Sequence, residues 1–120
     1  MIVIADVNDF VTDSKVRTGF IKILINLNKA SNGIAIITGR KYENRPETID
    51  QINSYGLGFS WLLMRHPECD DVPIDELKKN LYETHVKPYQ ENILCVFESD
   101  PKCIEMWRGL GLTCIDCRNI

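Results

Sequence analysis

Short apolar runs alternate along this chain with longer stretches in which apolar residues recur every third or fourth position. Residues 2–5, Ile-Val-Ile-Ala, form a run rich in β-branched residues, as a central parallel strand requires. The run ends at the acidic cluster Asp6-Val7-Asn8-Asp9. Over residues 14–30, Val16, Phe20, Ile23, Leu24 and Leu27 fall at helical spacing, with Ser14 as N-cap and Ser31-Asn32-Gly33 as the stop. Residues 34–37 predict a second buried strand that stops at Thr38-Gly39-Arg40. Pro46 then opens a shorter helix that carries Ile49 and Ile52 and ends at Gly56.

Residues 59–64 predict a third strand. After a loop, Pro73 opens a helix with Ile74, Leu77 and Leu81 on its inner face, and Pro88 limits its extension. A fourth strand over 93–97 ends at Glu98-Ser99. Asp100-Pro101 reads as an N-cap followed by proline at the first helical position. The helix presents Ile104, Trp107 and Leu110, closes at Gly109 and Gly111, and leads into a last strand over 112–115.

Strands alternating with helices predict a three-layer, Rossmann-like α/β fold: a mostly parallel sheet, helices on both faces, right-handed crossovers. Such sheets bind ligands beyond the carboxyl ends of their strands. Asp6, Thr38 and Glu98 each close a predicted strand, so the fold brings all three to one edge.

Composition narrows the picture. At 120 residues, with no repeat or linker, the chain reads as one domain over 1–120. A chain this long buries enough surface to fold without disulfide or metal staples. No apolar run approaches the roughly 18 residues of a membrane span, so no membrane association is expected. The start MIVIADVND lacks the basic segment and cleavage site of a signal peptide, so the expectation is a cytoplasmic protein. Five cysteines is an odd number, and Cys95 and Cys114 sit inside strand-like runs, which predicts reduced, buried thiols. A net charge of −3 without a long basic run argues against strong non-specific duplex binding.

A strand ending in Asp6-x-Asn8, another ending in Thr38-Gly39-Arg40 and a later one ending in Glu98 resemble the haloacid dehalogenase (HAD) superfamily. The stretch Ile104-Glu105-Met106-Trp107-Arg108-x-Leu110-Gly111 is similar to the last helix in the 3′-phosphatase half of phage polynucleotide kinase/phosphatases. The resemblance covers nearly the whole chain, although residues 45–65 match only in pattern. It implies that Asp6 is a nucleophile forming an aspartyl phosphate, and that Thr38, Gly39, Arg40 and Asn8 meet the phosphate. It also implies a charge-neutralising lysine, for which Lys78 and Lys79 compete. Helical phase favours Lys78, four residues after Ile74, and leaves Lys79 in solvent. Asp6, Asn8 and Glu98 are the implied Mg²⁺ ligands. Asp100 is needed as a helix cap.

The chain departs from the family at Asn8, where a second aspartate usually acts as acid and base, and at Asp9-Phe10, where Gly-Thr is usual. Asn8 cannot exchange a proton at neutral pH. Asp9 should repel a phosphate unless it turns outward or joins a metal. No segment is long enough for the cap domain of larger relatives, which implies an open site suited to a bulky substrate. Two functions follow from the resemblance. One is a Mg²⁺-dependent phosphatase or phosphotransferase acting on a nucleotide or nucleic-acid phosphate. The other is a degenerate scaffold that binds a protein or nucleotide partner, for example a phage protein acting on a host factor in the host cytoplasm. In that second case Phe10 and Tyr42, exposed beside the strand ends, would form a contact patch.

Other residues carry simpler readings. Cys114-x-x-Cys117 with His66-x-x-Cys69 has the donor types of a zinc site, against which Cys114 reads as strand core. His85 falls on the packed helix face, and Trp61 and Trp107 read as core anchors.

Overall fold

The computed structural model describes all 120 residues. Its main sheet comprises β1 (Ile2–Ala5), β4 (Gly33–Lys41), β5 (Trp61–Arg65), β6 (Ile93–Glu98) and β7 (Cys114–Asp116), with β2 (Val11–Thr12) and β3 (Lys15–Val16) forming a separate two-stranded hairpin. The helices are α1 (Thr18–Lys29), α2 (Arg45–Ser54), α3 (Ile74–His85) and α4 (Pro101–Gly109). The sheet order is β5-β4-β1-β6-β7, and every pairing within it is parallel. This is the predicted HAD-like, Rossmann-like fold.

Alternation along the strands divides the core into two layers. Val3 and Ala5 of β1, Ile34 and Ile36 of β4, and Cys95 and Phe97 of β6 pack with Phe20 and Leu24 of α1 and Ile52 of α2. Ile2 and Ile4, Ala35 and Ile37, and Val96 face the other way, onto Leu77 and Leu81 of α3 and Ile104 and Trp107 of α4. The chain runs from β1 outward through β4 and β5, then returns to the far side of β1 for β6 and β7. Its topological switch point, where ligands bind in such sheets, therefore lies beside the end of β1.

Several expectations need correction. The first helix starts at Thr18, not Ser14; residues 11–16 form the β2–β3 hairpin instead. Asp13 and Ser14 take positive φ (52° and 62°) at its tip, a conformation that hairpin turns demand and a helix start does not. Val16 consequently stands exposed. β4 does not stop at Ile37: it carries Thr38-Gly39-Arg40 within the strand, across an irregularity in its pairing with β5. The last strand begins at Cys114, and the third at Trp61. Phe10 is not exposed; it is fully buried, edge-on to Phe20 and Tyr55. His85 is exposed, and its neighbour Val86 fills the packed position. The zinc alternative is excluded and Cys114 is strand core, as the sequence favours, because His66 and Cys69 follow β5 while Cys114 and Cys117 lie on and after β7, at opposite ends of the sheet. All five cysteines are free thiols, four of them buried. No helix is long and apolar enough to cross a membrane.

Between β1 and α1 the chain supplies only a short loop and the hairpin, and between β4 and α2 a single 3₁₀ turn. Nothing comparable to a second domain stands over the strand ends.

Candidate active site

Strand parity aims the acidic side chains. Asp6 continues the phase of Ile2 and Ile4, and Glu98 that of Val96, so both point to the α3/α4 side. Lys78 follows Leu77 on the inner face of α3 and comes to meet them. Its Nζ lies 2.9 Å from Asp6 Oδ2 and 2.8 Å from Glu98 Oε1. All three side chains are almost fully enclosed, whereas Lys79 is exposed. Burial alone would push the Lys78 ammonium's pKa down, but the two carboxylates reverse that and hold it well above the ordinary lysine range.

Gly39 helps to set this geometry. A Cβ there would stand 2.5 Å from Cδ1 of Ile74, the first residue of α3. The absent side chain lets α3 begin close against β4, one turn before Lys78.

Glu98 is saturated. Its Oε1 accepts from Lys78 and from Trp107 Nε1 (3.1 Å), and its Oε2 accepts from the backbone N–H groups of Ser99 (3.0 Å) and Asp100 (3.2 Å). Four donors leave no free oxygen for direct ligation of a metal unless one of them lets go. Asp6 accepts the Asn8 N–H at 2.9 Å through Oδ1, which curls the loop after β1. Asp100 caps α4 through the Cys103 N–H, as the sequence predicts.

Thr38 and Arg40 face the other side. Thr38 is fully buried, and its hydroxyl accepts the Arg40 N–H at 3.3 Å. The Arg40 guanidinium donates to Asn8 Oδ1 (2.7 Å) and to Gln51 Oε1 (2.7 Å), with Thr48 Oγ1 at 3.4 Å. All three partners are neutral, so the guanidinium is positioned without losing its charge.

Asp9 neither turns outward nor repels freely. Its carboxyl is buried, its Oδ1 accepts the Ser99 hydroxyl, and its Oδ2 is the one buried side-chain oxygen with no hydrogen-bond partner. Burial raises the Asp9 pKa; the Ser99 hydrogen bond works against this, while the nearby Asp6 and Glu98 charges add to the rise. Arg17 ties the loop down, donating to the Asp9 carbonyl (3.0 Å) and to the carbonyls of Cys117 and Ile120.

The structure thus gathers Asp6, Lys78 and Glu98 on one side of the strand ends, and Asn8, Thr38 and Arg40 on the other. Sequence reasoning missed Ser99, Trp107, Thr48 and Gln51 as supporting donors and acceptors. Trp107 had the spacing to be found: it lies on the inner face of the helix capped just after Glu98. Thr48 and Gln51, three apart on α2, share a face, but nothing in the sequence aims that face at Arg40.

Comparisons with known proteins place the fold. The family profile described as "Polynucleotide kinase PNKP phosphatase domain" matches residues 5–119. A solved chain in "Structure of the Pnkp1/Rnl/Hen1 RNA repair complex" superposes with a TM-score of 0.79 at 21% identity, covering 94% of this chain and 40% of that one. Another, in "Structure of Pnkp1/Rnl/Hen1 complex", gives 0.80 at 19% identity, with 94% and 44% covered. The chain therefore spans less than half the length of these solved relatives, and at such identities they speak to fold. A search of curated proteins finds no match.

Proposed function

Because this chain belongs to the PNKP phosphatase-domain family of the HAD superfamily, we propose that it transfers or hydrolyses a phosphate at the end of a nucleotide or nucleic-acid strand. The observation that carries this reading is the buried Asp6–Lys78–Glu98 set at the ends of the adjacent strands β1 and β6.

In this mechanism an Asp6 oxygen forms the new bond to phosphorus while the bond from phosphorus to the leaving oxygen breaks. Water then hydrolyses the aspartyl phosphate and restores the carboxylate. Lys78 holds Asp6 in place and offsets the charge that gathers during transfer, work that is mainly positioning and electrostatics. Thr38 and Arg40 offer donors to the phosphate oxygens, and Arg40 keeps its fork pre-aimed through Asn8 and Gln51. Asn8 cannot protonate the leaving oxygen, so that proton comes from solvent. The expected loss is about 10²–10⁴-fold relative to a site with an acid there.

The residues fit Mg²⁺, which keeps several waters and needs only one or two carboxylates. Asp6 and the backbone carbonyl of Asn8 would hold it. The net negative charge of Asp6, Glu98 and Lys78, and the unpartnered Asp9 Oδ2, favour a cation nearby. Glu98, saturated by its four donors, would contribute charge more than a coordinating oxygen. When bound, the ion supplies positive charge for the phosphoryl oxygens.

The uncovered strand ends suit a macromolecular end better than a small enclosed substrate. An RNA end deserves testing first, since the similar folds occur in an RNA repair complex. The second reading, a partner-binding scaffold without turnover, draws support from the saturated Glu98 and the Asn8–Arg40 bond. The test is release of phosphate from a 3′-phosphorylated oligonucleotide and from an aryl phosphate, with and without Mg²⁺, in wild type and Asp6→Asn. Turnover that needs both Mg²⁺ and Asp6 supports the phosphatase. No turnover in wild type, with no effect of Mg²⁺ on thermal stability, leaves the scaffold.

A further inference from the structure

Tyr42 and His66 are the residues that follow β4 and β5, and the last ladder pair of those strands is Lys41 with Arg65. The two rings therefore emerge side by side and stack, 5.1 Å between centroids with planes 19° apart. Both residues are exposed, and the Arg45 guanidinium lies over the Tyr42 ring at 5.5 Å. An exposed aromatic stack held in register by two strands has no part in the core.

Lys41, Arg45 and Arg65 stand around the stack, and none takes part in any of the chain's four ion pairs. Neutral groups fix the guanidinium of Arg45 on the Leu62 carbonyl, and that of Arg65 on the carbonyls of Gly39, Cys69 and Val72. Both guanidinium groups are held in place, and neither is ion-paired. A hollow of about 220 Å³ opens between Lys41, Tyr42, Arg65 and Pro67. Glu43 and Asp70 also line it, which suits a base with donor groups on its edge better than a bare phosphate.

Resting on the function proposed above, we infer that this ridge is the binding site for an unpaired nucleic-acid strand leading to the reacting phosphate. One base stacks on the open face of His66, which Tyr42 and Arg45 support from behind, and Lys41 faces the backbone phosphates, the combination that single-strand binders use. The four-residue step from Ile37 to Lys41 in β4 matches the two-residue step from Leu63 to Arg65 in β5, so this irregular stretch advances about 7 Å along the sheet. That separation exceeds one stacked step of about 3.4 Å, so the stacked base is not the terminal one.

The test is fluorescence anisotropy with dye-labelled single-stranded RNA and DNA ending in a 3′-phosphate, in an Asp6→Asn background that blocks turnover. Tyr42→Ala and His66→Ala should each weaken binding by about 5- to 100-fold. Lys41→Ala should lower the slope of log affinity against log salt by about 0.7. Tyr89→Ala, comparably exposed but set against Trp61 at the amino end of β5, the far end of that strand from His66, should change nothing, and a blunt duplex should bind more weakly than either strand. Unaltered affinity in both ring variants, or no strand binding at low salt, overturns the inference. Hydrolysis of an aryl phosphate by wild type reports separately on the catalytic reading, so either proposal can fail alone.

Discussion

Lys78→Met removes the only cation between two buried carboxylates, and its cost can be worked from the geometry. At 2.8–2.9 Å and an effective dielectric of 20, each pair attracts with about 6 kcal/mol gross. Desolvating the three groups offsets much of that, at several kcal/mol per ion. The net effect of deletion is dominated by what remains: Asp6 and Glu98 enclosed and facing one another without a counter-charge. Breaking a buried pair in this way costs about 3–5 kcal/mol, and for a domain of this size that lowers Tm by roughly 10–25 °C.

The pH dependence separates this cause from simple loss of packing. In wild type the Lys78 pKa is raised. Its contribution is therefore fully present below the unfolded lysine value of about 10.4 and fades only as pH rises through the higher folded value. Wild type should show no Lys78-linked change between about pH 5 and 9. In Lys78→Met the stranded carboxylates bind protons more tightly when folded, so the deficit should be largest at neutral pH. It should narrow as pH falls towards about 4. Adding Glu98→Gln should recover part of the loss at neutral pH, measurable as a coupling energy in a double-mutant cycle. Urea unfolding at pH 5 and pH 7.5 gives both readings. A loss below about 1 kcal/mol, or a deficit that widens on acidification, would refute the buried-ion argument.

Other outcomes follow from the same contacts. Asp9→Asn should raise the melting temperature at pH 7–8, because a carboxyl whose folded pKa is raised destabilises above that pKa; the gain should disappear as pH falls through it. Phe10→Ala should cost about 3–5 kcal/mol in chemical unfolding, since the ring is fully buried against Phe20 and Tyr55. An exposed contact residue at that position would cost almost nothing. Thiol labelling of the native protein should modify Cys69 first and reach the other four cysteines only on unfolding, because they are buried, with burial pushing Cys103 and Cys117 up to about 12 and Cys114 to about 11. Mass spectrometry of the labelled peptides checks the order.

The fold was legible because its signals were redundant. Each sheet strand is an apolar run, and Asp100-Pro101 announced its helix by two independent means. The hairpin over residues 11–16 was not legible, because Val16 and Phe20 share a helical spacing that fits α1 equally well. Only the positive φ of Asp13 and Ser14, at residue types that tolerate it, separates the two. The site was legible in part. Position at the strand ends brought out Asp6 and Glu98, and helical phase favoured Lys78 over Lys79. The hydrogen bonding of each group was not, since it depends on donors from Trp107 and Ser99 and acceptors on α2 that meet only in three dimensions.

These contacts bear on the positions where the chain departs from the family pattern. From sequence, Asn8, Asp9 and Phe10 are three separate losses. In the structure each has a partner: Asn8 Oδ1 takes the Arg40 guanidinium, Asp9 Oδ1 takes the Ser99 hydroxyl while its Oδ2 is left over, and Phe10 completes an aromatic cluster. Substitutions accumulating without constraint would leave stranded polar groups, each costing about 1–3 kcal/mol. Here the whole buried side-chain set leaves one, Asp9 Oδ2, and it belongs to the loop that carries Asp6. The loop therefore packs around the Asp6–Lys78 pair. Asn8→Asp alone would place a carboxylate where Arg40 now donates to Asn8 Oδ1. A restored acid held by Arg40 has its pKa lowered and donates its proton poorly. Asn8→Asp should accordingly gain much less than the full about 10²–10⁴-fold of acid catalysis, while Asn8→Asp with Arg40→Gln should gain more in kcat and lose in KM. Equal gains from both variants would show that Asn8 and Arg40 act independently.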